Sequence, residues 1–174
     1  MAWPTVRIGP LDRVHEQMNG TQPDDERRFD DAFRHAWPSV FRFAVAWTND
    51  LPTAEDIAQE AFTRLWDRRD TLDWDRPVIP WLLVVTRRLA TDRFRRLRPP
   101  YPAPRVRDLN EDGVAAWLDV RAAFGRLTSR ERAALVTVAI LGFTPDEASD
   151  PLGMSPGAVR AAISRAREKL ENER

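Results

Sequence analysis

In the stretch GAVRAAISRAREKL, Arg160, Ser164 and Arg167 recur at steps of four and three residues, with Ala161 and Arg165 beside them. On an α-helix those spacings put all five residues on one side. A helix offering that side outward fits the major groove of DNA, where an arginine fork pairs bidentately with guanine. A solvated hairpin would carry the same pattern with its arginines facing water, and these residues alone do not choose between the two. A second basic group lies upstream: between Asp92 and Arg107 there are six arginines and one aspartate. Such a density suits contacts to phosphate. Acidic residues collect elsewhere, in DDERRFDD and AEDIAQE. The formal net charge is zero, from 27 basic and 27 acidic residues. A zero sum argues against a nucleic-acid partner, since phosphate binding favours basic surfaces, but the distribution matters more than the sum, and here the charge is segregated along the chain.

Other chemistries find little support. The chain has no cysteine and two distant histidines, His15 and His35, so no metal site and no disulfide framework is expected. No Gly-rich phosphate loop and no nucleophile–base pair is visible, and no cofactor is expected. The neighbouring carboxylates Asp24–Asp25 and Glu55–Asp56 would point in different directions from a helix, which argues against acid–base catalysis and against an enzyme. The longest apolar run, AALVTVAILGF, covers 11 residues, against the roughly 20 that a membrane-spanning helix requires. The N-terminus lacks the basic start and apolar core of a secretory signal, so the cytoplasm is the expected location.

The elements that must position these residues read as helices throughout. Residues 1–26 mix Pro, Gly and charge without periodicity and read as a flexible extension. From Phe29 an apolar stripe runs through Phe33, Trp37, Val40, Phe41, Ala44 and Trp47, with Pro38 expected to kink or split the helix. A second helix, in LPTAEDIAQEAFTRLWDRR, should be capped at Thr53 with Asp56 completing the box. It would bury Ile57, Ala61 and Leu65, with Phe62 and Trp66 beside them, and leave Asp56, Gln59, Glu60 and Arg64 outside. A third helix starts near Pro80, apolar in its first half and basic in its second. The proline-dense segment 98–113 marks a boundary, so the chain divides into 27–97 and 114–174. Beyond it, Val114, Trp117, Leu118, Val120 and Phe124 mark a helix. Thr128 and Glu131 form a capping box, and Gly142 a stop. Thr144, Pro145 and Glu147 start a short helix that Pro151 should end early. Ser155 and Pro156 start the last one, whose stripe is Val159, Ile163, Ala166 and Leu170. The fold class is all-α, with two small helical domains joined by a proline-rich linker.

The order of these features resembles a known family. AEDIAQEAFTRLW is similar to the acidic helix by which bacterial sigma factors dock on RNA polymerase. WLLVVTRRLATDRFRR resembles the adjoining helix that melts and reads the −10 promoter element. LTSRERAALVTVAILGFTPDEASDPLGMSPGAVRAAISRAREKL resembles sigma region 4, whose helix-turn-helix reads the −35 element. Two domains, a variable linker and 174 residues fit the extracytoplasmic-function group. The resemblance covers about Phe29 to Leu170. It implies a promoter-specificity subunit with core polymerase (its beta and beta-prime subunits) and promoter DNA as partners, associated with the nucleoid. It leaves room for an anti-sigma factor, and none of its partners is a membrane. Polymerase binding falls to Asp56, Gln59, Glu60, Phe62 and Trp66. The −10 role falls to Trp81, Arg87, Arg88, Asp92, Arg93, Arg95 and Arg96, with the loop Leu72 to Pro80 as the pocket for a flipped base. Base contacts at −35 fall to Arg160, Ala161, Ser164 and Arg165, with Ser155, Gly157 and Arg167 nearer the backbone. Three departures from the family pattern are visible. Arg88 stands where Asn is usual, DRPVIP replaces a Gly-Ser loop, and Ala148–Ser149 replaces an Ile-Ala pair. A shortened first helix and weaker −35 binding are expected from the last.

Overall fold

The structure is a computed structural model that describes residues 23–96 and 121–172. Among these residues every regular element is helical. Helix α1 spans Pro23–Thr48, α2 Leu51–Trp66 and α3 Val78–Arg96, with a 3₁₀ turn at Arg69–Thr71 between the last two. Helical backbone at 121–125 leads into α4, Ser129–Leu135, which continues as a π-helical turn over Val136–Ile140. The short α5, Ser149–Leu152, and the long α6, Pro156–Glu171, complete the chain. The proline-dense segment 98–113 lies outside the described residues, as do residues 1–22.

Helix α1 begins within the supposed extension, at Pro23 rather than after residue 26. Proline suits a first helical position because the N–H it lacks would have no partner there. The acidic residues Asp24, Asp25 and Glu26 follow in the first turn, where the helix dipole favours negative charge. Pro38 does not split the helix, which runs unbroken through it. Both Pro38 and Arg34, whose carbonyl loses its bond, are exposed, so water can satisfy the released group. The α1 stripe is deepest at Ala36, Val40, Phe43 and Ala44, and Phe43 (0% exposed) belongs to it although the expected stripe omitted it.

The cap of α2 is Asp50, not Thr53. Its Oδ2 accepts from the Thr53 N–H at 3.0 Å, and Thr53 lies a turn inside, buried. Asn49 takes a left-handed conformation (φ 53°) that turns the chain between α1 and α2, which asparagine tolerates better than most residues. Ile57, Ala61 and Leu65 are buried as the periodicity requires. Phe62 is also buried, in an aromatic cluster with α1: its ring lies 4.8 Å from Phe33 and 5.7 Å from Trp37, while Trp66 meets Phe29 edge-on at 4.9 Å. Rings in that arrangement add roughly 0.5–1.5 kcal/mol per pair beyond the burial of their area.

In the second half, Thr128 and Glu131 form the expected capping box of α4. Gly142 (φ 77°) is the stop, and the Phe143 N–H reaches back to the Thr137 carbonyl at 3.2 Å. Thr144 and Glu147 make their reciprocal bonds, and one helical turn leads into α5. Pro151 does not end that helix. It is buried within α5, and the stop is Gly153 (φ 61°) two residues later. The Pro151 ring replaces a donor to the carbonyl of Glu147, an exposed residue, so little is lost by the missing bond.

The two halves share one hydrophobic core, running from Val40 and Phe43 of α1 through Leu82 of α3 to Ala133, Val136 and Val159. Arg132 of α4 is buried at the seam. Its guanidinium donates to the carbonyls of Ala46 (2.8 Å) and Trp47 (3.4 Å) at the end of α1. It also donates to Phe124 (3.0 Å) and Leu127 of its own half. Four carbonyls, including two from the negative end of a helix dipole, replace the water that this cation has lost.

Candidate nucleic-acid interface

Helix α6 is set by a local start and a non-local stripe. The Ser155 hydroxyl accepts from the Ala158 N–H at 3.2 Å, and Pro156 occupies the first turn. Val159, Ala162, Ile163 and Ala166 are buried against the preceding helices. The other side carries Arg160, Ala161, Ser164, Arg165 and Arg167, all exposed, with Ser155 and Gly157 exposed at its start. The structure therefore brings all seven residues expected at the −35 element onto the surface of one helix and its cap.

Two of these arginines are oriented by acids. Arg160 Nη1 lies 4.0 Å from Asp146 Oδ2, a long exposed pair. Arg165 Nε lies 3.4 Å from Glu131 Oε1, and Lys169 Nζ donates to the same carboxylate at 2.8 Å. Burial alone would raise the Glu131 pKa. The Lys169 ammonium and the hydrogen bonds from Thr128 outweigh burial and bring it from 4.5 to about 2. One carboxylate thus caps α4 and braces α6. The cap is legible in the local sequence, but Lys169 lies 38 residues away and no local pattern signals the pairing.

The arginines of α3 are less uniform. Arg95 and Asp92 are exposed, and Arg93 Nη2 donates to Asp56 Oδ2 of α2 at 3.1 Å. Arg88 is half-buried, and Arg96 closes the helix. Arg87 turns toward the other half: its Nε donates to the Pro151 carbonyl at 3.0 Å. Burial, reinforced by the charges of Arg88 and Arg130, lowers its pKa. Trp81 is 8% exposed and packs in the core. It also lines a cleft of about 980 Å³ between α3 and α5, together with Pro77, Ile79, Pro80, Phe143 and Met154. The −10 residues therefore do not form one open patch in this conformation, because Arg87 and Trp81 face inward.

On α2, Asp56, Gln59 and Glu60 are exposed together, with Glu60 paired to Arg64 at 3.2 Å. Phe62 is 3% exposed and holds α2 against α1. Trp66 is partly buried, with the Arg69 guanidinium 4.3 Å above its ring. Of the five residues expected to meet polymerase, the three polar ones and part of Trp66 are on the surface.

Residues 32–99 match the family described as Sigma-70 region 2, and residues 117–170 match Sigma-70, region 4. The chain belongs to the sigma-70 family of RNA polymerase sigma factors, the promoter-recognising subunits of that enzyme, in its extracytoplasmic-function group. It is 34% identical over 134 residues to the RNA polymerase sigma factor CnrH of Cupriavidus metallidurans, covering 67% of this chain and 70% of that one. The extracytoplasmic-function sigma factor EcfG of Rhodopseudomonas palustris is 27% identical over 147 residues, with 78% of each chain covered. A probable sigma factor, RfaY of Xanthomonas campestris pv. campestris, is 34% identical over 152 residues, of which this chain spans only 37% of the length. Among solved structures, CnrH in complex with the cytosolic domain of CnrY superposes with a TM-score of 0.65 at 26% identity, covering 84% of this chain and 87% of that one. The sigma factor RpoE of Bartonella quintana, bound to the anti-sigma factor NepR, has the same fold: TM-score 0.66 at 19% identity, covering 84% and 96%.

Proposed function

We propose that the chain works in the cytoplasm as a non-enzymatic subunit whose parts divide promoter selection between them. In this reading residues 27–97 form region 2, 98–113 the linker and 114–174 region 4. Asp56, Gln59, Glu60 and the edge of Trp66 meet core polymerase, with Phe62 holding their helix in place. Arg88, Arg93, Arg95 and Arg96, with Arg87 and Trp81 once they are uncovered, hold the −10 strand by phosphate contact and stacking. Arg160, Ala161, Ser164 and Arg165 read −35 bases, while Ser155, Gly157 and Arg167 approach the backbone. An anti-sigma factor, of the kind that NepR is for RpoE, is a further partner compatible with this reading.

The observation that carries the proposal is the outer side of α6, where all seven −35 residues are exposed while the intervening stripe is buried. Among the described residues no helix is long and apolar enough to cross a membrane. Run-off transcription with core polymerase, followed by mapping of start sites, tests the reading. Specific start sites with a shared −35 and −10 sequence are expected. Failure to associate with core polymerase would instead leave a helix-turn-helix regulator that binds DNA alone.

A further inference from the structure

Glu131 is held by its own helix before it meets α6. Its side chain is buried, and Oε2 accepts from the Thr128 N–H at 2.9 Å as the reciprocal half of the α4 capping box. With Oε2 tied to the cap, Oε1 is presented to α6. Arg165 Nε lies 3.4 Å from Oε1. Lys169, one turn further along α6, donates to Oε1 at 3.1 Å and to Oε2 at 2.8 Å.

The two arginines expected to read bases from α6 are therefore held differently. Arg165 meets a buried carboxylate through Nε, which leaves its two terminal nitrogens to pair with the edge of a guanine. Salt screens a buried partner less than an exposed one. Arg160 meets Asp146 through a terminal nitrogen, Nη1, at 4.0 Å, and both side chains are exposed. An exposed pair of that length holds an arginine loosely. Any arginine gives up rotamer freedom when it binds a base, and one already held in place gives up less.

We propose that Glu131 is a positioning residue for sequence readout: from the cap of α4 it holds the Arg165 guanidinium ready for a guanine of the −35 element, while Arg160 stays adaptable. This rests on the promoter role proposed above, with Arg165 as a reader of −35 bases. Glu131 itself does not touch DNA and acts only through the arginine. Lys169 has a separate part, tying α6 to α4 through the same carboxylate. One acid between two cations leaves the group net positive, so α6 keeps its attraction for phosphate.

Glu131→Gln keeps a carbonyl oxygen for the Thr128 cap but turns an amide donor toward Arg165, so the brace is lost while the cap remains. The full chain is assembled with core polymerase and bound to promoter duplexes in which each base pair of the −35 element is changed in turn. Arg165→Ala and Arg160→Ala identify the base pair that each arginine reads. Glu131→Gln should reduce preference about threefold or more at the Arg165 pair and leave the Arg160 pair unchanged. Added to Arg165→Ala it should have no further effect. Lys169→Met, which loosens α6 from α4 but spares the contact between Glu131 and Arg165, should retain both preferences. Loss at both pairs in Glu131→Gln, or loss at the Arg165 pair in Lys169→Met, would show that Glu131 merely seats the helix and overturns the proposal. Unchanged preference in Glu131→Gln overturns it as well. If Glu131→Gln fails to fold by circular dichroism, nitrogen relaxation of the arginine Nε–H groups in the free wild-type chain decides: Arg165 should be the more ordered of the two, and equal order with Arg160 overturns the brace. A wild-type holoenzyme with no −35 preference overturns the promoter reading itself, and this inference with it.

Discussion

Arg93 and Asp56 form an ion pair across 3.1 Å that joins α3 to α2. One residue belongs to the basic helix expected at the −10 element and the other to the acidic helix expected at polymerase. Both are substantially exposed, so the pair itself contributes at most about 1 kcal/mol to the fold. Its consequence is positional, since the two surfaces are held at a set spacing along neighbouring helices.

Reversing the acidic charges of α2 separates binding from folding. Asp56→Lys with Glu60→Lys should weaken association with core polymerase at least tenfold in a pull-down titration, with helical content unchanged by circular dichroism. The cost to stability should stay below about 2 kcal/mol, since only two exposed pairs, to Arg93 and Arg64, are lost. Collapse of the fold would show that the charges are structural.

On the proposed reading of the −35 element by α6, removing Arg160 or Arg165 should relax sequence preference rather than abolish binding. Arg160→Ala or Arg165→Ala should cost about 1–3 kcal/mol of discrimination at −35. The comparison is polymerase–sigma binding to a cognate promoter and to one with a scrambled −35 element. Equal discrimination by variant and wild type would remove these residues from base reading.

The Glu131 carboxylate gives the fold an acid sensitivity of known sign. Its folded pKa of about 2 lies below the ordinary 4.5, so the ionised form is favoured by folding. The stability this supplies is complete above pH 4.5 and is lost as pH falls toward 2. Urea midpoints measured across that window should fall with pH, and Glu131→Gln should flatten the fall. Glutamine preserves the capping box, so the variant should remain folded at neutral pH.

Gly153 is constrained twice, by φ of 61° and by the Arg87 guanidinium at 3.0 Å, whereas Gly142 (φ 77°) has nothing within 4 Å of a Cβ position. Alanine at Gly142 should cost about 1–2 kcal/mol for the left-handed conformation alone. Alanine at Gly153 should cost more in urea unfolding, and an added Arg87→Ala should recover part of the difference. Equal costs at the two glycines would mean that Arg87 moves aside freely.

The sequence by itself determined the helices, most of their caps and the surface of α6. Those features depend on residues three and four positions apart, and local spacing records them directly. The polarity of α2 and the change in α3 from apolar to basic were legible for the same reason. Where local signals competed, the more extreme backbone preference prevailed. Asn49 and Asp50 displaced Thr53 as the start of α2, and Gly153, not Pro151, ended α5. Only the tertiary structure decided which of the candidate residues on α2 and α3 face outward. Phe62 is buried because the α1 aromatics close over it, and Arg87 is engaged because the helix-turn-helix lies against α3. Arg132 is indistinguishable in sequence from any surface arginine. Its role comes from α1 ending with unpaired carbonyls 85 and 86 residues away, a relationship that chain folding creates and local periodicity does not encode.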